Sequence, residues 1–113
     1  MEISEGSIFL ANMDPTVGAE IQKTRPVIIV SNEWINKYSL LVVVVPLTTS
    51  IRKMSPSHAL IPKGQGGLNY SSKALTEQIR AIDKSRLVQR LGKIEQEYII
   101  KIHDAMRNTL NIK

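Results

Sequence analysis

The sequence predicts a small, mainly β domain with one C-terminal helix, its strands forming a strongly bent antiparallel sheet or barrel. Three observations predict this. Two uninterrupted apolar runs rich in β-branched residues, "PVIIV" (Pro26–Val30) and "LLVVVVPL" (Leu40–Leu47), have the composition of strands buried on both faces or nearly so. Turn residues punctuate the chain at short intervals, as they do between short strands. Only the last stretch, "EQEYIIKIHDAMRNTL", spaces its apolar residues at helical intervals. A run of strands followed by one helix packs most simply as a sheet with the helix laid across it. At 113 residues the chain is expected to be one domain spanning 1–113 with room for a single core and a single site.

Each element follows in order. "SIFLA" (Ser7–Ala11) is a short strand entered through Gly6, and Asp14–Thr24, with Pro15 and Gly18 and no apolar period, is a loop. Between the two apolar runs, "NEWINKY" is a polar connection with the makings of a short helical turn, and its Trp34 is expected to anchor the core. Pro46 is expected to end the second run, which gives way to hydroxyls and bases in "LTTSIRKMSPS". "HALIP" (His58–Pro62) is another short strand. "KGQGGLNYSS" lacks the spacing and the Lys-Ser/Thr of a phosphate-binding loop, and reads as a hairpin connection. "SKALTEQIRAI" alternates as one strand whose polar side shows Thr76, Gln78 and Arg80, or carries a bulge at Glu77. "DKSRLVQRLGKI" reads as a short helical turn closed near Gly92. In the final helix Tyr98, Ile99, Ile102, Ala105, Met106, Thr109 and Leu110 form the apolar stripe, and Glu95 is a poor N-cap.

Composition narrows the chemistry. No apolar run reaches the roughly 20 residues that span a bilayer, and the acidic, polar start is unlike a signal peptide, so a soluble, cytoplasmic protein is expected. With no cysteine and two isolated histidines, any chemistry is expected to need no metal and no cofactor. A formal charge of +5 suits a polyanionic partner, although charge alone fits a solubilising surface as well. Aromatic residues make up 4% of the chain, which argues against recognition by base stacking and for phosphate contacts and hydrogen bonds.

The polar groups at strand mouths form one set: Glu20, Thr24 and Arg25; Thr48, Thr49 and Ser50; Glu77, Gln78 and Arg80. Arg25 is confined between Thr24 and Pro26, where proline restricts the residue before it to extended backbone. Cations, hydroxyls and carboxylates suffice for cleaving RNA, whose 2′-OH is an internal nucleophile. The protein need only take a proton, stabilise charge on phosphorus and assist the leaving oxygen. Arg25 offers phosphate oxygens a rigid fork of donors and Thr48 one more hydrogen bond, with Glu77 or Glu20 as weaker candidate bases. The bland alternatives are that Arg25 pairs with Glu20 or Glu77 and that Thr48 closes a turn.

Three ordered motifs, "MDPTVGAEIQKTRPVIIVSN", "VVVVPLTTSIRK" and "LTEQIRAIDKSRL" followed by "LGKI", together resemble the MazF/PemK toxin family over nearly the whole chain. The resemblance implies an SH3-like, CcdB/PemK-like barrel that works as a homodimer, and the toxin of a type II toxin–antitoxin system. It implies a sequence-specific, metal-independent endoribonuclease, an mRNA interferase, acting on single-stranded RNA. An acidic antitoxin is the implied partner, with DNA binding a property of the toxin–antitoxin complex. By position, Arg25 and Thr48 match the residues that act on the scissile phosphate in that family, and Glu20, Glu77 and Gln78 match its RNA groove. Ala19 stands where some relatives have histidine. The alternative on the same fold is a non-catalytic inhibitor of a protein target such as DNA gyrase. Relatives of that kind often carry a tryptophan before the terminus, whereas this chain ends "NTLNIK".

Overall fold

The computed structural model describes residues 2–113. Seven strands and two helices follow one another as β1 (Ser7–Asn12), β2 (Thr24–Ile29), α1 (Glu33–Tyr38), β3 (Leu41–Thr48), β4 (His58–Ile61), β5 (Ser72–Leu75), β6 (Arg80–Asp83), β7 (Leu87–Lys93) and α2 (Gln96–Leu110). All strand pairs are antiparallel, in the order β4-β5-β3-β2-β1-β7, with β6 also paired to β3. The terminal strands of this order, β4 and β7, do not pair, so the expected barrel is a bent sheet that stays open. Glycines bring its two ends together. The turn between β4 and β5 lies directly on β7, where a Cβ on Gly92 would stand 2.7 Å from the carbonyl carbon of Gly66. Only a residue without a side chain admits so close an approach.

Strand alternation sorts the interior into two clusters. On one face Ile8, Ile28, Val45, Leu47, Ala59, Ile61 and Ala74 pack under α2 through Ile99, Ile102 and Ala105. On the other, Phe9, Ala11, Met13, Val27, Ile29, Val42 and Val44 are closed over by Ile82 and Leu87. A strand buried on both sides cannot afford polar alternation, which is why β2 and β3 read as unbroken apolar runs. Burying a Val or Ile side chain is worth about 1.5–3 kcal/mol, so these runs dominate the fold's stability.

Five expectations need correction. Trp34 is 66% exposed, because α1 lies on the outside and its aromatic face points to solvent with Tyr38, 5.6 Å away between ring centroids. Pro46 does not end β3, which runs on to Thr48. On the edge away from β2 the strand exchanges its partner around Pro46, from β6 at Val44↔Arg80 to β5 at Leu47↔Ala74, so the proline falls in the gap between the two ladders. "SKALTEQIRAI" is two strands divided by a 3-10 turn at Thr76–Gln78, and Thr76 is fully buried, its hydroxyl donating to the Ser57 carbonyl at 2.6 Å. "DKSRLVQRLGKI" holds one 3-10 turn, Lys84–Arg86, and then the whole of β7. Gly92 therefore serves close packing within a strand. Finally, Leu110 is 47% exposed and lies off the stripe that α2 buries. Glu95 makes no side-chain cap, as expected.

Candidate nucleic-acid interface

The polar set gathers at one end of the sheet. In β2, Val27 and Ile29 belong to the cluster away from α2, and Arg25 continues that alternation past the core's edge. The β2–β3 ladder pairs Ile29 with Val44, Ile28 with Val45 and Val27 with Pro46. The ladder ends there, and by alternation Arg25, before Val27, and Thr48, after Val44 and Pro46, lie beyond its end on the face of the second cluster. Arg80 pairs with Val44 in the β3–β6 ladder and shares that face. Thus an arginine, a threonine and a second arginine from three strands stand where the second core opens to solvent.

The chain holds Arg25 as the sequence led one to expect, and adds a restraint. Its backbone pairs with Ala11 in β1, while its Nε donates to the Gln22 carbonyl at 3.1 Å. Among the described residues it forms no ion pair, so neither Glu20 nor Glu77 neutralises it. The guanidinium's two terminal nitrogens are left for another acceptor. Thr48 accepts the Ser50 N–H on its hydroxyl at 3.2 Å, which is the turn-closing bond, and its own hydroxyl proton remains available.

A cleft of about 590 Å³ adjoins this end, lined by Ala19, Glu20, Ile21, Glu77, Gln78, Ile79 and Arg80. Its two walls are the β1–β2 loop and the 3-10 turn, joined by Gln78, whose side-chain oxygen accepts the Ile21 N–H at 2.7 Å. Arg80 Nη1 donates to the Met13 carbonyl at 3.2 Å, and Arg86 Nη1 reaches the carbonyls of Asn12 and Asp14. The loop is therefore laced to β6 and the turns on either side of it. Within it Glu20 accepts the Val17 N–H at 2.6 Å, and Lys23 adopts a left-handed backbone (φ 65°) that turns the chain into β2. Thr24, Thr49 and Ser50 are exposed outside the cleft's lining.

Glu77 has a partner that the sequence did not suggest. His58 Nδ1 accepts the Ser55 N–H at 3.1 Å, so the ring proton sits on Nε2 and is donated to Glu77 at 2.9 Å. Arg86 is the other residue the sequence reading passed over, since a basic residue in a turn has no signal that it will reach back more than seventy positions. Among the described residues no three His, Cys, Asp or Glu side chains cluster as metal ligands. No helix among them is long and apolar enough to cross a membrane.

Comparison with known proteins agrees with this architecture. The family model described as PemK-like, MazF-like toxin of type II toxin-antitoxin system matches residues 4–110. Endoribonuclease MazF of Staphylococcus epidermidis is 36% identical over 111 residues, covering 97% of this chain and 92% of its own. Endoribonuclease EndoA of Bacillus subtilis is 32% identical over 97% of this chain and 96% of its own. In structure, MazF from Deinococcus radiodurans superimposes with a TM-score of 0.84 at 21% identity, over 97% of both chains. A mycobacterial endoribonuclease in complex with its cognate antitoxin gives 0.83 at 22%, over 99% of this chain and 98% of that one.

Proposed function

The chain belongs to the PemK-like, MazF-like toxin family of type II toxin–antitoxin systems, and on that premise we propose that it is an endoribonuclease that cuts single-stranded RNA. The observation that carries the reading is the Arg25 guanidinium, without an ion pair among the described residues, on the same face and at the same end of the β2–β3 pair as Thr48. Residues 1–113 act as one toxin domain.

In the reaction, the ribose 2′-OH attacks the adjacent phosphorus and the 5′-oxygen leaves, giving a 2′,3′-cyclic phosphate. Arg25 donates from its terminal nitrogens to the non-bridging oxygens as charge builds on them, and Thr48 adds a hydroxyl donor. Both groups are fixed before substrate arrives, Arg25 by the Gln22 carbonyl and Thr48 by the Ser50 N–H, so little reorganisation is needed at the transition state. Glu20 and Glu77, the two carboxylates of the cleft, are the candidates to receive the 2′-OH proton. Thr24, Thr49, Ser50, Gln78 and Arg80 line the path of the flanking nucleotides. The endoribonuclease names of both sequence relatives favour cleavage over inhibition of a protein such as gyrase.

The antitoxin of such a pair is expected to be acidic and to compete with RNA for Arg25, its binding falling steeply with salt. The working form is a homodimer in the cytoplasm, and a monomeric sedimentation mass at micromolar concentration would overturn the dimer. The deciding experiment is cleavage of a long single-stranded RNA in excess EDTA by wild type and Arg25→Ala, with the fragment ends mapped. Cuts at one recurring short sequence, ending in cyclic phosphate and lost in the variant, are expected. No cutting by the folded wild type, or full cutting by Arg25→Ala, would overturn the reading.

A further inference from the structure

Lys73 is a buried cation with no counter-ion. It lies in β5 with 8% of its surface exposed, and among the described residues it forms no ion pair. Its Nζ donates to one acceptor, the Lys53 carbonyl at 2.6 Å, in the β3–β4 loop. An ammonium has three protons, so two donors are left over. Burying a charge is unfavourable unless a partner offsets it, and a single carbonyl offsets little.

Its neighbours indicate what the missing partner is. In the β3–β5 ladder Lys73 is the residue directly opposite Thr48, and in the β4–β5 ladder it is opposite Leu60. Residues paired in this way project on the same face with their Cβ atoms about 4.5–5.5 Å apart. The flanking pair, Leu47 and Ala74, points the other way into the core beneath α2. Lys73 and Thr48 thus stand side by side on the face that also carries Arg25 at the start of β2. Two cations sharing a face with a hydroxyl, neither neutralised by a carboxylate among the described residues, suit the repeating charges of a nucleic-acid backbone.

We propose that Lys73 is a substrate-binding residue, its ammonium neutralised by a backbone phosphate of the RNA next to the one held by Arg25 and Thr48. The proposal rests on the endoribonuclease reading and extends it to a position that the motifs did not single out. The fold carries an unneutralised charge at this position because the charge is completed only when substrate binds.

The test uses two neutral variants of the full-length protein. Lys73→Met fills the same volume without charge, and Lys73→Gln keeps a donor for the Lys53 carbonyl without charge. The probe is a single-stranded RNA of the mapped cleavage sequence with a 2′-deoxy nucleotide at the cut, followed by fluorescence anisotropy across a salt series. Both variants are expected to bind more weakly at low salt, with a slope of log affinity against log salt shallower by about 0.7, the value for one phosphate contact on a single strand. Lys73→Arg is expected to restore the slope, and the thermal midpoint of Lys73→Met is expected to equal or exceed that of wild type. A wild-type slope in Lys73→Gln would make Lys73 a loop anchor and overturn the proposal, even if Lys73→Met failed to fold. A wild type that neither binds nor cuts RNA would instead overturn the endoribonuclease reading itself.

Discussion

The two ends of the sheet use similar side chains in opposite ways. At the end carrying α1, Ser31 and Asn36 are buried and bonded to each other, Asn36 Nδ2 to the Ser31 carbonyl at 2.9 Å. The Ser31 hydroxyl also accepts the Val43 N–H at 3.1 Å, and Lys84 Nζ closes the set on the Asn36 carbonyl at 2.7 Å. Asn32 caps α1 by accepting the Ile35 N–H at 2.9 Å. At the other end Arg25, Thr48 and Lys73 each keep donors in reserve. A polar group whose bonds are complete within the chain stabilises the fold, whereas one with donors left over has something to offer a ligand.

Substitutions should therefore separate activity from stability according to the end they strike. The largest effect is expected at Arg25. Arg25→Ala should cut the rate of RNA cleavage by about 10²–10³-fold, the loss typical of a removed transition-state donor, while the thermal midpoint stays near wild type. An Arg25→Ala protein that was destabilised but still active would erase the contrast. Next comes Asn36→Ala, which takes the Asn36 amide away from the Ser31 carbonyl and from the Ser31 hydroxyl proton. It should cost about 1–3 kcal/mol in denaturant unfolding while the folded fraction cleaves at the wild-type rate. A loss of catalysis without loss of stability would mean that the two ends are coupled.

Smaller effects sharpen the boundary of the active end. Gln78→Ala should free the Ile21 N–H and loosen the β1–β2 loop by about 0.5–1.5 kcal/mol, read as faster hydrogen exchange at that amide. Gln78→Glu, which keeps an acceptor, should restore protection. The smallest effect is expected at Asp83, which is exposed and caps the 3-10 turn before β7 by accepting the Ser85 N–H at 2.8 Å. Hydrogen bonds from Ser85, with a lesser contribution from the Arg86 charge, hold its pKa below the ordinary carboxylate value. A carboxylate lowered by folding stabilises at pH values above its unfolded pKa, and that contribution fades as pH falls through the folded one. The midpoints of wild type and Asp83→Ala should accordingly differ slightly at neutral pH and converge in acid.

Much of this was written locally. The β-branched runs declared β2 and β3 because branched side chains fit a sheet covered on both faces, and the helical spacing from Tyr98 to Met106 declared α2. Arg25 stood out because the proline after it left its backbone few choices. Local pattern failed where the deciding contact was distant. Alternation through Thr76 suggested one strand, with at most a bulge at Glu77, and gave no measure of the corner there, which is held by the Ser57 carbonyl and the Thr109 hydroxyl. Trp34 has the chemistry of a core residue, and only the placement of α1 outside the sheet exposes it.

The sequence by itself determined the first four strands, where the final helix lies, which family the motifs resemble and which polar residues stand at strand mouths, because each depends on neighbours a few positions apart. Tertiary structure alone decided what lies across from what. That Thr48 faces Lys73, that Glu77 meets His58, and that Gln78 holds Ile21 all follow from the registers of β3, β4 and β5 and the folding of loops onto them. Period-2 alternation says which face a side chain takes, but carries no information about the partner strand. That is fixed only when hydrogen bonding and burial over the whole sheet select one register.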